Sequence, residues 1–382
     1  MKFKTSGILT VLLLVLTLSV QAYASPAKVI NSFALRAARE LGRSSSSWFF
    51  SPYSIVSAFG MAYAGSSGDT AKEIEQALGF TWSLHGELSE FVQDIASTGQ
   101  VYSANRVWLD KSLGISRNYQ DTLYLYYRST AEALDIKNSP DLSRKVINSW
   151  AAEHTNGKIP SLLSELDPDT RMLITNAVYF NAQWQNPFTK SATKPENFRD
   201  GEKISQVPMM KMYADFQYGE FDGVKIIRIP YKGRRIYMLA VLPPEGEPAL
   251  ENLDAETLTR WNGSLRKYEV DLWLPKFMTE NSYQLSEIFK ALGVKQAFTD
   301  DADFSRMSEA EKLKIDSVIH KTFIDVDEEK TEAAAVTMIG MVGATAMPDP
   351  VPTAEFHADR PFVYFIMDGH TGTILFMGRQ TF

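Results

Sequence analysis

Toward the carboxyl end the chain reads EEKTEAAAVT, Glu328 to Thr337: two acidic residues running into small residues with the periodicity of a strand. Side chains of an extended chain alternate faces, so Thr331, Ala333, Ala335 and Thr337 share one side, and Glu332, Ala334, Val336 and Met338 the other. The first face is uniformly small and fits between strands, over a packed core, without steric conflict. Glu332 keeps the second face toward water. The residues that follow carry no secondary-structure signal. A segment of this kind needs an existing sheet to enter.

That stretch resembles the hinge of a serpin, and ADRPFVYFIMDGHTGTILFMGR, Ala358 to Arg379, is similar to the family's carboxyl-terminal strands. Upstream segments match the same pattern in order. Ala27 to Leu41 has helical apolar spacing, and Trp48 to Leu78 reads as a strand tip followed by two helices, with Thr70 and Glu73 expected to form a capping box. Asn148 to Pro160 is similar to a family helix and turn. Met172 to Phe188 is the nearly continuous apolar run of a strand buried on both faces. Further strand signals lie at Val207 to Lys211, Arg235 to Leu242 and Val270 to Phe277, and Phe362 to Met367 with Thr373 to Met377 reads as a hairpin around Asp368 to Gly372. The resemblance implies an α+β serpin fold: three β-sheets, about eight or nine helices and an exposed reactive-centre loop over about residues 328–355.

The chain has 382 residues, 45% hydrophobic and 22% charged, enough to bury a sizeable core. Length alone suggests roughly two or three domains, but no linker, charge block or repeat marks a boundary, so residues 25–382 are expected to form one domain. Lys2 and Lys4 precede an apolar run from Ile8 to Val20 and the small-x-small triplet Ala22, Tyr23, Ala24, a secretory signal with cleavage after Ala24. The run falls short of the roughly 20 residues that span a bilayer. A secreted, extracellular protein follows, in the periplasm or at the cell exterior if the host is bacterial. With no cysteine it has no disulfides. The formal charge of −7, more negative once Lys2 and Lys4 are removed, disfavours nucleic acid and anionic membranes as partners.

The resemblance assigns roles to particular residues. Ser51, Ser54, Asn176 and His320 match a hydrogen-bonded cluster, the shutter, beneath the main sheet. On its own His320 reads as a satisfied core or surface histidine. Trp184 matches the tryptophan at the sheet's upper opening, the breach, although any Trp in such a run also suits core packing. Lys276 and Glu328 match an ion pair that holds this opening closed; as an ordinary surface pair it would contribute about 0–1 kcal/mol. The hinge comprises Glu328, Glu329, Lys330, Thr331, Glu332, Ala333, Ala334 and Ala335. Lys330 stands where inhibitory members usually carry glycine, which would slow insertion without forbidding it. Ser47, where asparagine is common, and the terminal RQTF are further departures, treated as neutral.

The family's usual spacing from the hinge, taken from Glu328, implies a scissile bond between Ala344 and Thr345, with Met341, Val342 and Thr345 as alternative cleavage sites; Met347 is disfavoured because Pro348 follows it. No Lys or Arg occurs from Thr331 to Asp359, and no aromatic residue from Thr331 to Glu355. The expected partner is therefore an elastase-like or subtilisin-like serine protease, held in a covalent complex, with cysteine proteases left open. Thr81 to Gln100 has no Lys or Arg and contains Glu87, Glu90 and Asp94, so heparin is not expected to bind. A sequon stands at Asn262. No G-x-S-x-G elbow, H-E-x-x-H or Walker loop occurs, and His85, His154, His320, His357 and His370 are scattered. The chain is read as a monomeric inhibitor without catalytic residues, metal or cofactor; the alternative is a non-inhibitory serpin serving as carrier or chaperone.

Overall fold

Eight α-helices and fourteen strands follow one another in a computed structural model that describes residues 25–41, 47–247, 253–308, 312–329 and 351–382. The signal segment, the hinge from Lys330 through Ala335, and Ala344 and Thr345 with the alternatives Met341 and Val342 lie outside the described residues. The first half runs α1 (Pro26–Leu41), β1 (Trp48–Phe50), α2 (Pro52–Gly65), α3 (Gly68–Leu78), α4 (Leu84–Ser97), β2 (Val101–Asp110), α5 (Arg117–Tyr127), β3 (Ala131–Leu134), α6 (Pro140–His154) and β4 (Met172–Phe180). The second runs β5 (Lys194–Asp200), β6 (Lys203–Phe221), β7 (Val224–Pro230), β8 (Ile236–Leu242), α7 (Ala255–Ser264), β9 (Arg266–Pro275), β10 (Phe277–Gln284), α8 (Ser286–Ala291), β11 (Ser317–Val326), β12 (Thr353–His357), β13 (Phe362–Asp368) and β14 (Ile374–Gln380).

Local chemistry explains several boundaries. Ser51 caps α2, its Oγ accepting the Ser54 N–H at 3.1 Å, with Pro52 opening the helix. Every residue of α2 is buried, so the helix is apolar nearly all round. The Thr70–Glu73 capping box does not form. Ser67 is the N-cap, which puts Thr70 inside the first turn and Glu73 one turn too far along to reach back. Both serve distant donors instead: Thr70 Oγ1 accepts from the Asp303 N–H at 2.9 Å, and Glu73 Oε2 from Lys295 and Gln296 at 2.8 and 2.7 Å. The β13–β14 turn is closed by Asp368, whose Oδ2 accepts from the Thr371 N–H and hydroxyl at 3.1 and 2.7 Å. A Cβ at Gly369 would stand 2.7 Å from the Arg235 carbonyl oxygen, so glycine is needed there. Two departures from the family pattern meet: the Ser47 hydroxyl donates to the Thr381 carbonyl and accepts the Thr381 N–H, both at 3.0 Å, and so clamps the tail.

The α+β class holds, and the strands close into two hydrogen-bonded networks. The 19-residue β6 pairs with β5, β7 and β9 in turn and so joins what would otherwise be separate sheets into one of nine strands, ordered β1-β14-β13-β8-β7-β6-β9-β12 with β5 alongside β6. The other sheet has five strands in the order β10-β11-β4-β2-β3. Its central pair, β11 and β4, is parallel, and each is flanked by an antiparallel neighbour. All nine residues of β4 are buried, and its period of two splits them between two cores. Met172, Ile174, Val178 and Phe180 join the main core; Leu173, Ala177 and Tyr179 join a smaller one under α6 with Trp108, Ile147 and Trp150. Strand β12 begins at Thr353, so residues 353–355 of the segment 328–355 are sheet, not loop.

Candidate functional site

The seam between β11 and β4 gathers the residues singled out from the sequence. In register, Ser317 faces Leu173 and Phe323 faces Tyr179, with His320 directly opposite Asn176. His320 Nε2 accepts the Ser51 N–H at 3.1 Å, so Nδ1 carries the proton and donates to Asn176 Oδ1. The Asn176 amide nitrogen reaches Ser54 and Asn105 Oδ1. Ser54 Oγ bonds Ser103 Oγ at 2.6 Å, and the Ser51 hydroxyl donates to the Leu375 carbonyl at 2.7 Å. His320 is fully buried, and burial pushes its pKa from 6.5 down to about 3, so the ring is neutral at ordinary pH. The structure thus brings Ser51, Ser54, Asn176 and His320 into one network. Two members escaped the sequence reading, Ser103 and Asn105 on β2; beside them on β11, the Thr322 hydroxyl donates separately to the Phe49 carbonyl at 2.8 Å. Ser103 and Asn105 lie two apart, a strand period that could have revealed them.

The upper end of the seam is already parted. Both strands run past the last pair, Phe323 and Tyr179, but Ile324 to Val326 pair only with β10. A cleft opens there, lined by Phe180, Ala182, Trp184, Tyr231 and residues 324–327. The Trp184 Nε1–H donates to the Asp327 carbonyl at 2.8 Å, and its ring stacks on Tyr231 with centroids 4.5 Å apart. Just beyond, Lys276 Nζ meets Glu328 Oε2 at 2.8 Å and Lys190 Nζ meets Glu329 Oε1 at 2.7 Å. The Phe188 N–H bonds the Glu328 carbonyl at 2.9 Å. Burial pushes the Glu328 carboxyl up, but the bonds from Lys276 and from its own backbone N–H outweigh it and hold the pKa below 4.5. Trp184, Lys276, Glu328 and Glu329 therefore cluster where the chain leaves β11.

The outer face of the seam is covered. Lys321 Nζ bonds the Ser161 carbonyl at 2.7 Å, and Lys158 Nζ lies 5.5 Å from the Phe323 ring centroid, so the stretch after α6 grips β11. Two surface expectations change. Asp94 on α4 is bound by Arg235, whose Nη1 donates to Oδ1 at 3.0 Å, so it is not a free repelling charge. The Asn262 amide donates to the Tyr237 hydroxyl and accepts from Arg228, both at 2.7 Å, which occupies the sequon's acceptor nitrogen.

A five-stranded sheet with a polar parallel seam that parts at one end calls for comparison with known proteins. The family model described as Serpin (serine protease inhibitor) covers residues 28–381, and the chain belongs to the serpin family. Serpins are in general inhibitors that bind target proteases covalently, not catalysts. An uncharacterised serpin-like protein of Thermococcus kodakarensis is 38% identical over 92% of this chain and 84% of its own. The leukocyte elastase inhibitor of Bos taurus is 37% identical over 87% of this chain and 92% of its own. Among solved structures, human thyroxine-binding globulin complexed with thyroxine superposes with a TM-score of 0.83 at 27% identity, covering 93% of this chain and 97% of that one. Uncleaved ovalbumin gives 0.83 at 26% identity, covering 93% and 99%.

Proposed function

We propose that the chain is a secreted inhibitor that traps serine proteases of the elastase-like or subtilisin-like kind by inserting its cleaved loop between β11 and β4. The observation that carries this reading is the seam: parallel, polar at its centre, and parted at the end where the chain leaves β11 toward Glu329. A segment that leaves β11 and folds back runs antiparallel to both neighbours. Insertion therefore replaces one parallel ladder with two antiparallel ones, which are slightly more stable per residue. The small face of Thr331, Ala333, Ala335 and Thr337 suits this passage.

The protease serine attacks the carbonyl carbon of Ala344, forms an ester, and expels the amine of Thr345 with a proton from the catalytic histidine. Residues 331–344, at about 3.3 Å each, span roughly 46 Å once extended, and carry the acyl-enzyme across the molecule. Disturbing the oxyanion hole alone slows deacylation about 10²–10³-fold, so the ester persists. The shutter network meets the incoming strand at mid-seam, and the Lys276–Glu328 pair meets it first. Kinship with a leukocyte elastase inhibitor and the small residues around Ala344 support a target with a small S1 pocket. Export through the leader ending at Ala24 and action as a monomer complete the reading.

Mixing the mature protein with pancreatic elastase or subtilisin tests it: a complex that survives SDS is expected. Cleaved inhibitor alone, at every ratio and with every small-pocket protease tried, would overturn it. The second reading, a carrier, draws on the likeness to a thyroxine-bound globulin and on Lys330 at the hinge. Nicking the loop separates the two, because insertion raises the melting temperature sharply and a carrier shows no gain.

A further inference from the structure

A second groove lies on the outer side of the five-stranded sheet, away from the β4–β11 seam. It lies between α6 and the strands β2 and β3, the latter at the sheet's edge, has a volume of about 500 Å³, and is walled chiefly by Arg106, Trp108, Glu132, Lys145, Trp150 and His154. Small-molecule clefts span roughly 300–1,000 Å³. Its floor is one guanidinium set against two indoles: Arg106 Cζ stands 5.4 Å from the Trp108 ring centroid and 5.3 Å from that of Trp150. The two indoles meet edge to face at 5.5 Å. The His154 ring, held by a 2.8 Å bond between Nδ1 and the Trp150 carbonyl, stands 5.2 Å from the Trp150 ring.

Two donors in this floor go unmet. Glu132 Oε2 takes Arg106 Nη1 at 2.7 Å, but Arg106 Nε and Trp150 Nε1 are buried without a hydrogen-bond partner, and Trp150 is only 6% exposed. A buried donor left unsatisfied keeps the full cost of having lost its water. Packing a flat indole here does not require that cost, since the neighbouring Trp108 Nε1 is satisfied by Thr175 Oγ1 at 2.8 Å.

We propose that this groove binds a small planar carboxylate, its ring against the Arg106–Trp150 layer and its oxygens accepting from Arg106 and Trp150. Both unmet atoms are donors, so the ligand brings acceptors. Arg106, Trp108, Trp150 and His154 all present flat groups, so a flat ligand gains most by stacking. Lys145 and Glu153 share the rim, which leaves little net steering charge there and puts recognition on the floor. Both donors are buried, so reaching them takes a rotation of the stacked pair toward the groove. The proposal stands whether or not the chain inhibits a protease.

Calorimetric titration of the mature protein with 2-naphthoate, beside the neutral 2-naphthalenemethanol, tests it. Saturable one-to-one binding of the acid is expected, about tenfold weaker for the alcohol, with a rise in melting temperature for the acid. Trp150→Phe, which keeps the packing and deletes the N–H, and Arg106→Lys should each weaken the acid about tenfold. The Trp150→Phe result decides alone if the second variant does not fold. Equal affinity for acid and alcohol, unchanged affinity in Trp150→Phe, or no heat and no thermal shift at millimolar acid would each overturn the proposal.

Discussion

The β13–β14 seam and the β4–β11 seam lie in the same chain and are built from opposite materials. Every residue of β13 is buried, Ile366 faces Phe376 of β14 across the seam, and Phe376 also stacks on Phe49 of β1 with centroids 5.3 Å apart. Parting these strands would expose aromatic area with nothing to replace it. The β4–β11 seam instead places Asn176 opposite His320 and adds side-chain hydrogen bonds at its centre to the backbone ladder. Those bonds can be re-formed with water or with another strand. A sheet that must stay shut is sealed by apolar packing, and one that is proposed to open is fastened by groups that tolerate the opening.

Phe376→Ala should have the largest effect, about 3–5 kcal/mol in urea unfolding. The share of protease trapped per folded molecule should not change. If trapping falls as well, the two seams are not functionally distinct.

Of the two seams, acid bears on the polar one. Above 6.5 His320 is neutral in both folded and unfolded chains; below it the unfolded chain binds a proton that the native ring refuses until about pH 3. Stability is therefore fully present above 6.5 and lost as the pH falls toward 3, by up to about 1.4 kcal/mol per pH unit. His85, lowered to about 4 by burial and then by the Arg306 charge, adds a second such loss over a narrower window. Urea melts across this range should show the slope, and His320→Gln should remove part of it. An unchanged slope in that variant would break the contrast.

Asn176→Ala should cost about 2–3 kcal/mol, because Ser54, Asn105 and His320 lose a shared partner. The variant should also convert on storage to polymeric or loop-inserted forms, visible on native gels, which Phe376→Ala should not do. The smallest effect belongs to Lys276→Met. With Lys276 half-exposed, about 1 kcal/mol is expected, together with faster insertion followed by a fluorophore on the loop. No change in rate would make the pair an ordinary surface contact.

The elements most legible in the sequence are those whose pattern is local: α1, the two helices after β1, β4, and the β13–β14 hairpin. Strand β11, which carries His320, was not among the strands read from the sequence. Its burial alternates under Lys321 and Asp325, and His320 and Thr322 point inward, so the apolar signal is broken where the strand matters most. The capping box at Thr70 and Glu73 failed for the related reason that their donors arrive from more than 200 residues away.

The sequence by itself determined the small face of the hinge, the run of β4, the absence of basic residues on α4 and the residue types around Ala344, because each is a property of neighbours along the chain. Only the tertiary structure decided that β11 and β4 lie parallel and part above Phe323, that Asn105 and Ser103 complete the network, and that Arg106 and Trp150 keep unmet donors beside an open groove. Those depend on strand order and on which distant groups satisfy one another, and spacing along the chain carries neither.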